Sequence, residues 1–216
     1  MKITNLSLTV FLLVLMLAAC GKPDEPTLGL YPAIHSGDIN QINRHIRWGT
    51  DINQVDADGR RPLHVAAAQG SQVVVKLLLK NGADIEALDR EGHSALYVAV
   101  MNGRTRVAEL LIKQGAPYDA NELLDEAVSN NLADRDVIRL LVSLGAQINR
   151  IDANGSTPLL RAITRNNRVL VKHLIAEGAD VNQKDSDGRS PLVAAEEVGD
   201  TDIIRMLRRN GAYIGP

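Results

Sequence analysis

The chain has 216 residues, of which 45% are hydrophobic and 23% charged, with 24 Lys and Arg against 26 Asp and Glu. The net charge of −2 excludes the general attraction to nucleic acid that a strongly basic chain shows. A single cysteine excludes an internal disulfide bond. Aromatic residues make up only 3%, so little surface is available for stacking on bases. We therefore expect no nucleic-acid partner, and an interior built from aliphatic side chains.

The first twenty residues differ in composition from the rest of the chain. After Lys2 comes an apolar run, residues 6–19, which is shorter than the ~20 residues of a membrane-spanning helix and typical of a secretory signal. Its end, Leu-Ala-Ala followed by Cys20, resembles the lipobox of bacterial lipoproteins. The resemblance implies cleavage before Cys20 and acylation of that cysteine. The alternatives are a cleaved signal with an incidental cysteine, and an uncleaved membrane anchor.

Residues 1–19 are thus predicted to be a lipoprotein signal peptide, and residues 20–27 a lipidated cysteine with a short tether. The tether reaches at most ~25 Å, so the domain after it would be held close to the membrane. Gly21 stands where an aspartate retains lipoproteins at the inner membrane of enteric bacteria. The resemblance therefore implies the cell envelope, with the protein anchored in the outer membrane and facing the periplasm.

Residues 28–216 contain a repeat of about 33 residues. Gly-Ala pairs start at positions 82, 115, 145, 178 and 211, which are 33, 30, 33 and 33 residues apart. A turn signal that ends in glycine has the same period, and Pro or Ala followed by Leu comes three residues after it. Proline is tolerated at the start of a helix, and glycine is typical of its end. Each unit is therefore predicted to contain a turn and two helices.

Two stretches, RPLHVAA at 61–67 and LLLKNGAD at 77–84, resemble the signature of the ankyrin repeat. The resemblance implies an all-α repeat solenoid of about six units, with stacked helix pairs and projecting β-hairpin fingers. It also implies a protein that binds other proteins without being an enzyme, and a structural role for His64 in the turn. Polar residues interrupt the apolar columns at Gln41 and His45 in the first unit and at Arg208 in the last, as expected of end caps.

The fourth unit departs from this pattern. From Ala116 to Leu124 there are 8 steps, against 13 from Ala83 to Leu96, so the tip of the finger is predicted to be missing. The loop around residues 130–134 is predicted to be two residues longer than in the second unit. We expect a notch in the row of fingers near Tyr118, which is either neutral drift of a surface loop or a shaped binding feature.

No motif predicts catalysis, a metal or a cofactor. The chain lacks a nucleophile elbow, a P-loop, a dinucleotide fingerprint and a zinc-protease helix, and its five histidines lack metal-ligand spacing. The stretches 56–59 and 185–188 faintly resemble calcium loops. They lack the closing glutamate of such a loop, and Asp-Gly at a hairpin tip is ordinary turn chemistry.

The resemblance places a protein partner on the fingertips and the exposed side of the first helices. By alignment, the candidate protein-binding residues are Val55, Arg60, Leu88, Arg90, His93, Met101, Asn102, Tyr118, Ile151 and Arg165, with Ser156, Lys184 and Arg189 at equivalent positions. The aliphatic residues Val55, Leu88 and Ile151 form a column that enters successive fingers, with Met101 beside it. Such a column predicts either an interface core flanked by arginines or ordinary core beneath the hairpins.

These features together predict a lipid-anchored protein that binds a protein partner in the envelope. One hypothesis is an immunity protein that neutralises a secreted toxic effector at the membrane, where a short tether raises the local concentration. The rival hypothesis is an adaptor that supports a periplasmic enzyme such as a catalase. A hydrolase is the weakest alternative, because the sequence offers no pair of nucleophile and base.

Overall fold

The computed structural model describes residues 23–213, so the predicted signal peptide and Cys20 lie outside the described part of the chain. Within it the chain forms twelve helices and no strand, arranged as six helix pairs. Each pair corresponds to one predicted repeat unit. Among residues 23–213, no helix combines the length and the apolar composition that crossing a membrane requires.

The two helices of each pair form two layers. The first helices are α1 Leu30–Ser36, α3 Pro62–Gln69, α5 Ala95–Met101, α7 Ala120–Ser129, α9 Pro158–Thr164 and α11 Pro191–Val198. The second helices are α2 Ile39–Trp48, α4 Gln72–Lys80, α6 Thr105–Lys113, α8 Arg135–Ser143, α10 Arg168–Ala176 and α12 Thr201–Arg209. First helices contact the first helices of neighbouring units, and from the second unit onward second helices contact second helices. The prediction of an all-α solenoid of six units is therefore confirmed.

Helix α4 shows how the repeat signals set the bounds of a helix. The Ser71 side chain accepts a hydrogen bond from the backbone N–H of Val74, which satisfies one of the free donors of the first turn. At the other end Gly82 has a φ of 90°, a left-handed conformation that glycine adopts without steric cost. The N–H of Ala83 then donates to the carbonyl oxygen of Leu78 at 3.0 Å and closes the helix.

The core is a continuous aliphatic stack along the solenoid axis. The leucine four residues before each repeat glycine is fully buried, with 0% of its surface exposed, in the last five units: Leu78, Leu111, Leu141, Leu174 and Leu207. The same column in the first unit holds His45, as the sequence indicates. This repeating contact between second helices confirms the predicted face of the stack.

The cap of the first unit differs from the prediction. A polar residue in an end cap is expected to face solvent, but only 7% of His45 is exposed, because the segment before α1 covers it. Its Nε2 lies 2.6 Å from the carbonyl oxygen of Leu28, and its Nδ1 lies 3.0 Å from the hydroxyl of Thr50. Gln41 accepts from the N–H of Thr27 at 3.1 Å in the same segment. Arg208, in the last unit, is exposed as expected.

The finger turns are held by an aspartate rather than by strand pairing. In the second unit the Asp56 carboxylate accepts from the backbone N–H groups of Asp58 and Arg60, at 3.0 and 2.8 Å. The other fingers repeat this arrangement with Asp89, Asp152 and Asp185. Within residues 23–213 the only bridge outside strands joins Leu88 and Ser94. The predicted β-hairpins are therefore Asx-closed turns.

His64 connects one unit to the finger of the next. Its Nδ1 accepts from the backbone N–H of Arg61 at 3.3 Å, so its Nε2 carries the hydrogen that bonds the carbonyl oxygen of His93 at 3.0 Å. The ring is 1% exposed, and burial lowers the pKa of His64 below its usual range. The predicted structural role is thus confirmed, in a neutral ring with a fixed tautomer.

This burial predicts a pH dependence of stability. Because the folded pKa of His64 is depressed, the unfolded chain binds a proton more readily than the folded chain as pH falls below about 6.5. The free energy of unfolding should therefore be highest above that pH and fall on acidification. Urea titrations at several pH values should show this decline, and His64→Asn should flatten it. An unchanged pH profile in the variant would mean that other groups cause the decline.

Candidate protein-binding site at the shortened fourth unit

The fourth unit has no finger, as the sequence predicts. Helix α7 begins only four residues after Ala116, and the loop between α7 and α8 spans five residues, 130–134, against two or three in the other complete units. On one side of the gap Arg90 donates to the carbonyl oxygen of Ala57 at 3.0 Å and joins the second and third fingers. On the other side the N–H of Ser186 donates to the carbonyl oxygen of Gly155 at 2.8 Å. The fingers therefore form two joined pairs with a notch between them.

The junction between the third and fourth units also lacks a pair of hydrogen bonds that an asparagine side chain makes at other junctions. Asn53 donates to the carbonyl oxygen of Gly82 at 3.0 Å and accepts from the N–H of Asp84 at 2.9 Å. Equivalent asparagines, Asn149 and Asn182, make the same two bonds to the following units. At the notch the repeat places Glu86 in the asparagine position and Pro117, which has no N–H, in the donor position. The asparagine side chain and the backbone N–H that it would accept from are thus both absent at this junction, which leaves the notch open.

The notch contains a groove of about 430 Å³. One wall consists of Leu88, which is 54% exposed, and of His93 and Tyr97. The rings of His93 and Tyr97 are stacked, with centroids 4.0 Å apart and planes 6° from parallel. The opposite wall includes Tyr118, which is 44% exposed. A groove with several aromatic and aliphatic groups at its surface has the composition of an interface core.

Carboxylates surround these aromatic rings. Glu86, Glu122 and Glu126 line the groove, and none of them forms an ion pair within residues 23–213. The hydroxyl of Tyr97 donates to Glu126 at 3.4 Å, and burial, together with this negative charge, raises the pKa of Tyr97. The groove therefore combines π-faces with negative charge that the described chain leaves unneutralised.

A neighbouring carboxylate on α7 has a different role. Asp125 forms ion pairs with Arg150 and Arg161, and Arg161 also lies 3.4 Å from Asp152 in the fifth finger. These pairs hold the fifth finger against α7 across the space that a fourth finger would otherwise fill. Because Asp125 is neutralised locally, the acidic character of the groove comes from its three glutamates and from Asp119 at the start of α7.

The structure separates the sequence-predicted binding residues into exposed and internally bonded groups. Val55, Leu88 and Ile151 are 56%, 54% and 44% exposed, so the alternative that they are ordinary core is wrong. Leu88 lies in the groove with His93 and Tyr118. Val55 lies at the start of the second finger and Ile151 at the start of the fifth.

Met101 does not belong to this exposed column. It is the last residue of α5, where it is half-buried and packed against the core, whereas Leu88 lies at the finger end of the same unit. The expectation that Met101 is exposed beside the column is therefore corrected. Repeat alignment alone does not distinguish a helix end that packs on the core from the partner-facing side.

The predicted polar residues are bonded to their own surroundings. Arg60 pairs with Asp56 at 2.9 Å; burial alone would raise the pKa of Asp56, but hydrogen bonds from the backbone and guanidinium of Arg60 lower it overall. Arg165 donates to the carbonyl oxygen of Val128 at 2.9 Å, and Asn102 to that of Val98 at 2.8 Å. These groups stabilise turns and helix ends, and their role in partner binding stays a prediction.

Sequence reasoning missed most residues of the groove, among them Glu86, Tyr97, Glu122 and Glu126. A signal was present, because α7 carries carboxylates at positions where the other first helices are neutral or basic. In addition, Glu86 interrupts the asparagine column. Among the described residues, no group of His, Cys, Asp and Glu side chains has the arrangement of a metal site.

Comparison with curated proteins gives partial matches. The chain is 46% identical over 55 residues to the potassium channel KOR1 of Oryza sativa subsp. japonica, a match that covers 26% of this chain and 6% of the channel. It is 26% identical over 142 residues to the transient receptor potential cation channel subfamily A member 1 of Drosophila melanogaster, covering 66% of this chain and 10% of that protein. The chain thus spans no more than a tenth of the length of these relatives.

Solved structures match over most of both chains. The human ASB11 ankyrin repeat domain has a TM-score of 0.68 and 25% identity, with 88% of this chain and 86% of that chain covered. The ankyrin repeat domain of Bcl-3 has a TM-score of 0.67 and 27% identity, with 88% and 89% covered. The complex of the Bd0816 predatory endopeptidase of Bdellovibrio bacteriovorus with the immunity protein Bd3460 gives a TM-score of 0.63 and 27% identity, with 86% and 99% covered.

A family model described as ankyrin repeats (3 copies) matches residues 30–122 and again residues 124–216. Together these matches cover most of the chain, and they agree with the six helix pairs of the structure. Ankyrin repeats are a scaffold for protein–protein interaction that is typically without catalytic activity. The chain belongs to the ankyrin repeat family.

Proposed function

We propose that the groove at the notch is the principal contact for a protein partner, which inserts a lysine or arginine side chain between Tyr97 and Tyr118. The observation that carries this proposal is the combination of aromatic faces with three glutamates that have no ion pair within residues 23–213. A cation gains from the faces of aromatic rings and from carboxylates in the same partly enclosed space. Leu88 and Tyr118 supply the apolar contact around it.

We further propose that the protein acts as a lipid-anchored immunity protein, which blocks a secreted effector in the cell envelope. The similarity to the complex of an endopeptidase with an immunity protein supports this proposal, because the match covers 99% of the other chain. A preformed groove also suits an inhibitor, since a rigid surface loses little conformational freedom on binding. The lipobox-like sequence before Cys20 would place this surface near the membrane.

The test is to capture the partner from envelope extracts on the immobilised chain and then assay the captured protein as the chain is added back. Dose-dependent inhibition of an enzyme that damages the envelope supports neutralisation. An enzyme that stays active and survives longer with the chain points instead to the adaptor role. If no protein is retained at physiological salt, the binding proposal is wrong.

The proposed anchor makes a separate prediction. If Cys20 is acylated, Cys20→Ser should abolish incorporation of a labelled fatty acid and release the protein from membranes washed at about 0.5 M salt, which screens electrostatic contacts with the lipid surface. Labelling in growing cells followed by membrane fractionation measures both effects. A Ser7→Ala variant in the apolar run serves as the control and should behave as wild type. Unchanged labelling of Cys20→Ser would contradict the lipoprotein assignment.

A further inference from the structure

Charge is strongly segregated between the two helix layers. Within the bounds of the six second helices lie 13 Lys or Arg and only 3 Asp or Glu, an excess of ten positive charges. The remainder of residues 23–213 carries 9 Lys or Arg and 23 Asp or Glu, an excess of 14 negative charges. The small net charge of the chain therefore hides an acidic finger side and a basic opposite side.

The basic side chains point outward from the second helices. Lys76 and Lys172 lie six residues before their repeat glycines, at positions that face away from the core, and Lys113 lies one turn further along α6. All three are exposed, and none forms an ion pair within the described residues. Other cations of this layer are partly neutralised, for example Arg168 by Asp200 at 2.6 Å. Unpaired lysines thus recur along the outer face.

The N-terminal segment runs along the same layer. The N–H of Thr27 donates to Gln41, and the carbonyl of Leu28 contacts His45, and both partners belong to the second helix α2. At the end of α2, Trp48 is 44% exposed, and Leu28 beside it is 39% exposed. The chain that leads back toward Cys20 therefore leaves the domain next to the basic face and beside an exposed tryptophan.

We infer that the outer face of the second helices docks on an anionic phospholipid surface, with Trp48 and Leu28 at the headgroup level. Basic side chains are attracted to anionic headgroups over about a Debye length, and tryptophan favours the membrane–water boundary. This orientation turns the acidic finger side, with its groove, away from the bilayer and toward a partner. The biological meaning rests on the proposed envelope location, whereas binding to the phospholipid surface does not require the acyl anchor at Cys20.

The test uses residues 21–216, which lack Cys20, so that no lipid anchor contributes. The packed core and both polar caps lie within residues 23–213, and this piece retains every described helix. Trp48 is the only tryptophan of the chain, so its fluorescence reports contact directly. Vesicles of phosphatidylcholine with phosphatidylglycerol should shift its emission to the blue and sediment the protein at low salt. Raising the salt to near 0.5 M should release it.

Two variants with the same net charge locate the contact. Lys76→Gln, Lys113→Gln and Lys172→Gln together remove three positive charges from the basic face and should weaken vesicle binding on the order of ten-fold or more. Lys184→Glu with Asn154→Asp makes the same change in net charge on the finger side, at exposed positions, and should stay within about two-fold of wild type.

Three results would overturn the inference. One is binding to pure phosphatidylcholine as tight as binding to the anionic vesicles. Another is an equal loss of binding in the two variants, which would show an effect of net charge without a defined face. The third is tighter binding to a short DNA duplex than to anionic vesicles at equal salt. Failure of the Cys20 labelling experiment would leave these outcomes unaffected, so the two proposals fail separately.

Discussion

Leu111→Ala should lower the free energy of unfolding by about 2–5 kcal/mol. Leu111 is completely buried between the second helices of neighbouring units, in the column that runs through the whole stack. Removing its side chain takes apolar contacts away and leaves a cavity that rigid helix pairs on both sides cannot close. Urea titration followed by circular dichroism measures the change directly.

The matched control is the same substitution at an exposed site. Leu88 is 54% exposed in the groove, so Leu88→Ala should cost well under about 1 kcal/mol. Comparable losses for the two variants would show that the column does not form the core. His45→Ala, at the end of this column, is expected to cost more than an exposed substitution, because two hydrogen bonds hold the ring beneath Leu28.

The fold could be predicted from the sequence because each unit obeys local rules at a fixed period. Gly82 ends a helix, Pro62 begins one, and Leu78 and Leu111 recur four residues before the glycines of their units. In a solenoid each unit contacts only its neighbours, so these local signals nearly suffice for the architecture. The missing fourth finger was predictable for the same reason, since it appears as a shorter interval between two repeat features.

The exposure of two residues, His45 and Met101, was not predictable from the repeat alignment. His45 resembles an exposed cap in the alignment, but the segment at residues 27–29 covers it, and no repeat signal marks that segment. Met101 lies at a position that alignment assigns to the partner-facing side, and the structure packs it against the core. The burial of His45 therefore depends on a non-repeating contact, which a column-by-column comparison does not contain.

The groove was only partly predictable. Tyr118 and Leu88 are recognisable from the sequence as surface residues, but they lie on opposite walls of the groove, which come from two consecutive units. Glu86 replaces the asparagine that bonds two units elsewhere, and Pro117 lacks the backbone N–H that such an asparagine would accept from. Each change indicates an open junction only when the two positions are compared together. The groove therefore becomes visible once the geometry of the junction is known.

Tyr118→Ala with Glu122→Gln should weaken partner binding by about 3 kcal/mol, a roughly hundredfold increase in Kd. Tyr118 offers an exposed aromatic ring for a buried contact, and Glu122 a carboxylate that would pair with a basic group of the partner. Both side chains are exposed, so the melting temperature of the variant should be close to that of wild type. The measurement is calorimetric titration with the captured partner.

The control makes the same two chemical changes away from the groove. Tyr213→Ala with Glu109→Gln removes one tyrosine ring, 63% exposed, and one exposed carboxylate on a second helix. This variant should bind as wild type if the notch is the contact. The salt dependence of Kd separates the contribution of the Tyr118 ring from that of the Glu122 carboxylate. Because an ion pair with the partner is weakened by salt, the affinity of the groove variant should depend less steeply on salt concentration than that of wild type. Equal affinity of both variants and wild type would place the partner on another face, such as the fingertips at Val55 and Ile151.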